Sequence, residues 1–143
     1  EFDTGKKFAR FMLAELNRYR VDYIVLAGYL RKIPPRVIDL YTDRIINIHP
    51  ALLPKFGGKG MYGLAVHQSV LEAGETESGV TVHYVDNNYD NGAIIAQKTV
   101  PVLAGDSPER LSARVLELEH SFYSEVLEKI ASKHNQQVEY DKK

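Results

Sequence analysis

The sequence of 143 residues contains no cysteine, which excludes disulfide bonds, thiolate metal sites and cysteine nucleophiles. It also has little net charge, −1 at pH 7, and this argues against a nucleic-acid binder that works by neutralising phosphates. No apolar run approaches the ~20 residues that a membrane helix needs. No signal peptide is recognisable at the start. We therefore expect a cytoplasmic protein with neither nucleic acid nor membrane as a partner.

What the sequence does contain is typical of a globular domain. Hydrophobic residues make up 44% and charged residues 26%. The length fits one domain, and no internal repeat or low-complexity segment divides it. We expect this domain to cover residues 1–132, and residues 133–143 to form a polar tail.

The first third of the chain alternates between helical and strand patterns. Apolar residues at helical spacing predict an amphipathic helix over residues 6–19. Residues 21–27 form an apolar run that predicts a strand buried on both faces. Pro34 and Pro35 open a short helix to Tyr41, and residues 44–48 predict a second buried strand. Two strands joined by a helix in this way are expected to be parallel.

The rest of the chain predicts a hairpin and a long helix. Residues 62–73 are expected to be helical, after a loop rich in glycine and proline. Residues 80–85 alternate like a strand with two different faces, and a polar turn at 86–92 leads to an antiparallel strand at 93–102. Ser107 is expected to cap a helix that runs to about residue 132. The predicted fold class is α/β, a mixed parallel sheet with a hairpin and a long final helix.

The most informative residues stand at the end of the second strand. Asn47 and His49 lie on the same face because alternate strand residues point the same way, and Pro50 then ends the strand. An amide donor beside a base that titrates near neutrality suits carbonyl chemistry, with Asp90 orienting the histidine or stabilising its charge. From spacing alone, a loop histidine and a turn aspartate that do not touch remain the commoner arrangement.

A metal site is a weaker candidate. Its ligands would be His49, His67, His83 and Asp90. No two histidines have the i, i+4 spacing of a helical metal site, and the His-Glu-x-x-His motif is absent. We therefore expect no metal.

Two further features have a purely structural interpretation when only the sequence pattern is considered. Residues 57–60, Gly-Gly-Lys-Gly, lack the ending of a phosphate-binding Walker loop, so a flexible loop is the simpler account. Even so, Lys59 and the backbone amides there could meet an anionic substrate. Glu119, inside the last helix, is expected on a solvated helical face.

Longer stretches of the chain closely resemble the folate-dependent phosphoribosylglycinamide formyltransferases. The resemblance covers nearly the whole chain in order, and residues 47–55, Asn-Ile-His-Pro-Ala-Leu-Leu-Pro-Lys, are its most specific part. Loop residues 55–63 look like one branch of this family with a longer loop. The other segments that carry the resemblance are residues 25–31, 79–85, 89–95 and 104–107.

The resemblance implies a Rossmann-like formyltransferase sheet and a reaction. In that reaction a formyl group passes from 10-formyltetrahydrofolate to the amine of glycinamide ribonucleotide, in purine biosynthesis. Asn47, His49 and Asp90 match the family's catalytic trio. Asn47 would donate to the formyl oxygen, a charged His49 would add stabilisation, and Asp90 would hold that charge and help move a proton.

The resemblance also implies binding residues for both small molecules. Folate would lie along Leu30, Arg31, Lys32 and Ile33, mainly on their backbone, with the turn from Val85 to Asp90, including Val85 and Asp86, as the other wall. Pro50 and Glu119 would meet the glycinamide substrate. Thr81 and His83 would lie near the trio and tune it.

One departure from the family pattern concerns the amino-terminal half, with its phosphate-binding loop, which has no counterpart in this sequence. We therefore expect the carboxy-terminal portion of such an enzyme, with an apolar strand edge at residues 21–27 that favours a homo-oligomer or low stability. Two other functions remain open. A formyltetrahydrofolate hydrolase would release formate without the amine substrate, and a non-catalytic folate-binding fragment would show no turnover.

Overall fold

The structure is a computed structural model that describes residues 4–88 and 90–143. Helices and strands alternate along most of the chain. In order they are α1 (Thr4–Arg18), β1 (Ile24–Leu26), α2 (Pro35–Leu40), β2 (Ile45–His49), α3 (Leu64–Glu72), β3 (Glu77–Tyr84), β4 (Ile94–Pro101) and α4 (Pro108–Asp141).

The four strands form one sheet in the order β1-β2-β3-β4. β1 and β2 are parallel, whereas β2 pairs with β3 and β3 with β4 in antiparallel fashion. The predicted parallel pair, hairpin and long final helix are therefore confirmed, and with them the α/β fold class.

One expectation about strand burial is wrong. β1 is not buried on both faces: Val25 is 46% exposed, because β1 lies at an edge of the sheet. β3 begins at Glu77, and both of its different faces are buried, with Val80 and Val82 on one and Thr81 and His83 on the other. These two polar residues are enclosed because hydrogen bonds satisfy them.

The core has two parts, one on each side of β2. The larger part packs the inner residues of β2 and β3 against α4, and its buried members include Ile48, Val80, Val82, Leu111 and Val115. The smaller part lies under α1 and α2 and includes Ile33, Val37, Ile38 and Ile45. The end of β2 is thus held between two packed layers.

The last helix is longer than predicted. The Ser107 hydroxyl accepts a hydrogen bond from the Arg110 N–H, as expected of a cap, but α4 continues past residue 132 to Asp141. No glycine or proline interrupts residues 133–141, so nothing local stops the helix. His134 also packs edge-on against Tyr23, with ring centroids 5.2 Å apart.

We predict that Asp106 makes stability depend on acid pH. Its carboxylate accepts hydrogen bonds from Arg114 at 2.7 and 2.9 Å and from the Leu103 N–H, and these bonds lower the pKa of Asp106 to about 2. Because this pKa lies below the ordinary value near 3.9, the stabilisation is complete above pH ~4 and is lost as pH falls towards 2. Thermal melting between pH 2 and 7 should show Asp106→Asn less stable at neutral pH, with the difference shrinking in acid. Asp39→Asn, on an exposed helical face, is the matched control, and equal pH dependence of Asp106→Asn and the unsubstituted chain would contradict the prediction.

Candidate active site

β2 delivers two of the predicted residues to the same place. Across the sheet, Asn47 pairs with His83 and His49 with Thr81. Asn47 is half-buried and His49 is buried. The strand ends at His49, so both side chains stand at the carboxyl end of a parallel strand, where ligands bind in α/β sheets.

A loop contact fixes Asp90 beside this pair. The Gly58 N–H donates to Asp90 Oδ2 at 2.8 Å. The other oxygen, Oδ1, lies 3.8 Å from His49 Nδ1 and 3.6 Å from His83 Nε2. The structure therefore brings Asn47, His49 and Asp90 together, with His83 as a fourth member.

The hydrogen bonds assign the protons on both imidazoles. Asn47 Nδ2 lies 3.3 Å from His83 Nε2, and because an amide nitrogen can only donate, this ring nitrogen is the acceptor. The His83 proton is then on Nδ1, which donates to the Tyr84 carbonyl at 2.9 Å. His49 Nε2–H donates to the Phe56 carbonyl at 2.7 Å, so Nδ1 is the nitrogen that faces Asp90.

Burial decides the charge of His49. Desolvation lowers the pKa of His49 below its ordinary value, and Asp90 and the Phe56 carbonyl oppose this shift without reversing it. This direction favours the neutral imidazole, which would carry its lone pair on Nδ1. Asp90 favours the charged form, as expected, but burial acts more strongly in the opposite direction.

Replacing Asp90 by asparagine should lower the pKa of His49 further, because the carboxylate that favours the imidazolium is removed. An NMR titration of the His49 ring protons measures this directly. Asp86→Asn removes a carboxylate from the same cavity but not from beside the His49 ring, so it should leave the pKa of His49 unchanged. An unchanged or raised pKa of His49 in Asp90→Asn would show that the carboxylate does not act on the imidazole.

A cavity of about 360 Å³ opens beside the trio. Ile33 is buried among core residues, so only its backbone can face a ligand, whereas Arg31 and Lys32 are exposed. The cavity lining includes all the residues predicted to catalyse the reaction or to bind a small molecule, namely Asn47, His49, Asp90, Leu30, Arg31, Lys32, Ile33, Val85, Asp86, Pro50 and Glu119.

Glu119 reaches the cavity from α4. Its side chain is partly buried, and desolvation raises the pKa of this carboxyl. One turn later Tyr123 donates to the Leu26 carbonyl at 2.7 Å, which ties α4 to the edge strand. The pattern-based expectation of a solvated face is therefore wrong at Glu119, because this part of α4 crosses the end of the sheet.

Thr81 supports the site without lining the cavity. Its hydroxyl donates to the Ala51 carbonyl at 2.7 Å and accepts from the Leu53 N–H at 3.0 Å. Gln97 Nε2 donates to the same hydroxyl at 2.9 Å. These bonds hold the loop that follows His49.

Sequence reasoning missed the backbone groups that hold the trio. The Phe56 carbonyl and the Gly58 N–H have no residue-type signature, so no pattern could have identified them. It also missed Met61 and Tyr62, which line the cavity from the loop before α3.

The histidines do not assemble a metal site in the part of the chain that is described. Across residues 4–88 and 90–143, no group of three or more His, Cys, Asp or Glu side chains could hold a metal ion. His67 is buried on α3, lies outside the cavity lining, and its Nδ1 has no hydrogen-bond partner among these residues. Over the same residues, no helix has both the length and the apolar character needed to cross a membrane.

The mixed α/β sheet, and the amide, imidazole and carboxylate that meet beside the end of β2, agree with the formyltransferase resemblance of the sequence. The family described as formyl transferase matches residues 1–127, and the chain belongs to this family.

Individual relatives carry a more specific name. The chloroplastic phosphoribosylglycinamide formyltransferase of Arabidopsis thaliana is 54% identical over 112 residues, covering 78% of this chain and 38% of that protein. The phosphoribosylglycinamide formyltransferase of Escherichia coli K12 is 40% identical over 126 residues, covering 88% of this chain and 57% of that protein. The solved structure of the Coxiella burnetii phosphoribosylglycinamide formyltransferase matches with a TM-score of 0.82 and 41% identity, covering 91% of this chain and 59% of that one. The chain thus spans between about two fifths and three fifths of the length of these proteins.

Proposed function

We propose that this chain carries the catalytic part of a phosphoribosylglycinamide formyltransferase. The reaction transfers a formyl group from 10-formyltetrahydrofolate to the primary amine of glycinamide ribonucleotide, a step of purine biosynthesis. The observation that carries the proposal is the convergence of Asn47, His49 and Asp90 at one cavity, in a chain similar to enzymes of that name.

Asn47 is suited to stabilise the charge that develops on the formyl oxygen. When the amine attacks the formyl carbon, a C–N bond forms and the carbonyl electron pair moves to that oxygen. One N–H of the Asn47 amide donates to His83, which fixes the side chain. The second N–H is available for a ligand, since Asn47 lines the cavity. A donor held in place before the reaction begins needs little reorganisation as the charge appears.

His49 and Asp90 are suited to move the proton of the attacking amine. The Nδ1 lone pair of neutral His49 can accept that proton, and the resulting imidazolium lies 3.8 Å from the Asp90 carboxylate. The pair can then return a proton to the tetrahydrofolate nitrogen as its bond to the formyl carbon breaks. The Phe56 carbonyl keeps the ring orientation constant through both steps.

The two ends of the cavity suit the two substrates. We place the folate along the backbone of Leu30, Arg31, Lys32 and Ile33, opposite Val85 and Asp86. We place the glycinamide end of the ribonucleotide near Pro50 and Glu119. The raised pKa of Glu119 means that its charge is poorly solvated, so a substrate N–H group would be a favourable partner.

An assay with both substrates tests the proposal. Formation of formylated ribonucleotide together with tetrahydrofolate supports it, and the same chain extended at its start is assayed in parallel. Formate release in the absence of ribonucleotide would identify a formyltetrahydrofolate hydrolase instead. Binding of a stable folate analogue by calorimetry without any turnover would identify a non-catalytic folate-binding fragment.

We propose the cytoplasm as the location of this activity. The Arabidopsis relative is described as chloroplastic, so the location varies among related proteins. A fluorescent fusion examined in the source cells would distinguish the cytoplasm from an organelle.

We also propose that the chain associates with itself through the edge strand β1. This strand offers unpaired backbone groups at the sheet edge, and Val25 and Leu30 near it are exposed. Sedimentation at several protein concentrations measures the association, and a monomer at the highest of them overturns this proposal.

A further inference from the structure

Lys59 is a cation on the cavity wall that no described carboxylate neutralises. It lies on the loop between β2 and α3 and shares the cavity with Asp86, Asp90 and Glu119. Asp90 accepts from the Gly58 N–H, and Asp86 accepts from the Asn88 N–H at 2.7 Å. Within residues 4–88 and 90–143, Lys59 forms an ion pair with none of the three.

A second lysine on the same loop, Lys55, differs from Lys59 because it is paired with a carboxylate. Lys55 Nζ lies 2.9 Å from Glu75 Oε1, outside the cavity. One loop lysine is therefore neutralised by a carboxylate, while the other lines the cavity and forms no ion pair among the described residues. An uncompensated cation in a concave site attracts anions.

The neighbours of Lys59 leave room for a ligand. Gly58 and Gly60 flank it with φ of +97° and +84°, a conformation that favours glycine. A Cβ placed on either glycine would meet nothing within 4 Å. The loop on both sides of Lys59 is therefore not crowded by other side chains.

We propose that Lys59 binds an anionic group, a phosphate or a carboxylate, of a substrate held in the cavity. The proposal rests on the proposed function, whose substrates carry both kinds of group: a phosphate on the ribonucleotide and carboxylates on the glutamate of the folate. An ammonium offers three donors and a compact charge, which suits either anion.

Calorimetry on Lys59→Met tests this binding contact, with Lys55→Met as the matched control. The ligands are folic acid, a neutral pteroyl amide without the glutamate, glycinamide ribonucleotide and its dephosphorylated nucleoside. Loss of one charge-assisted contact should weaken one anionic ligand about tenfold and leave its neutral counterpart unchanged. Lys59→Arg should keep most of the affinity, and Lys55→Met all of it.

The identity of the weakened ligand distinguishes the two sources of the anion. If Lys59→Met loses affinity only for folic acid, the contact is with a carboxylate. If it loses affinity only for the ribonucleotide, the contact is with the phosphate. Unchanged affinity for both, or an equal loss in Lys55→Met, overturns the proposal. Because binding is measured apart from turnover, a chain that binds these ligands without transferring formyl refutes the proposed function and leaves the Lys59 contact standing.

Discussion

Replacing Asn47 by alanine should lower the rate constant for formyl transfer by about 10²–10³-fold, the usual effect of removing one oxyanion donor. The donor acts on charge that appears only in the transition state, so kcat should fall while folate affinity changes little. Steady-state kinetics measure kcat on whichever form of the protein is active, the chain as given or the chain extended at its start. Calorimetry with the stable folate analogue measures the folate affinity.

The control for this prediction is Asn17→Ala, which removes an amide from the exposed face of α1. His83 adds an internal check, because Asn47→Ala also removes the donor to its Nε2. His83→Gln keeps an acceptor near Asn47 and should lose much less activity than Asn47→Ala. Near-normal turnover in Asn47→Ala would remove this amide from the mechanism, whatever happens at His83.

The sequence was sufficient for the order of elements and for which residues of one strand share a face, because both depend on side-chain pattern. Strand alternation placed Asn47 and His49 on one face, and β2 confirms it. Bringing Asp90 to them required the family resemblance, since 41 positions separate it from His49 and no periodicity connects a strand end to a distant turn.

The features that could not be predicted from the sequence depend on tertiary burial and on backbone groups. The charge of His49 depends on how completely the fold encloses it, and burial outweighs the carboxylate that pattern reasoning emphasised. The exposure of β1 depends on which strands surround it, because an apolar run looks the same at an edge as in the centre. The length of α4 was underestimated because polar residues without glycine or proline are compatible with both a helix and a tail.

Replacing Gly57 by alanine should lower kcat by about 10–100-fold although the side chain of Gly57 takes no part in the reaction. A Cβ at this position would lie 2.5 Å from Leu53 Cδ2 and 3.0 Å from Asp90 Cβ. Leu53 is buried and has little freedom to withdraw, so the added methyl group should push Asp90 away from His49. Misplacement of a catalytic group by less than 1 Å is enough for an effect of this size.

Two measurements separate displacement of Asp90 from general unfolding. Overpacking should reduce the free energy of unfolding by roughly 1–3 kcal/mol, which leaves a cooperative melt. The pKa of His49 should fall in Gly57→Ala, because the carboxylate that raises it has moved away, and it should fall less than in Asp90→Asn. Gly5→Ala, where a Cβ meets nothing within 4 Å, should lower neither the free energy of unfolding nor the pKa of His49. If Gly57→Ala loses activity while the titration of His49 stays where it was, the loop does not position Asp90, and the Gly58 N–H contact is structural only.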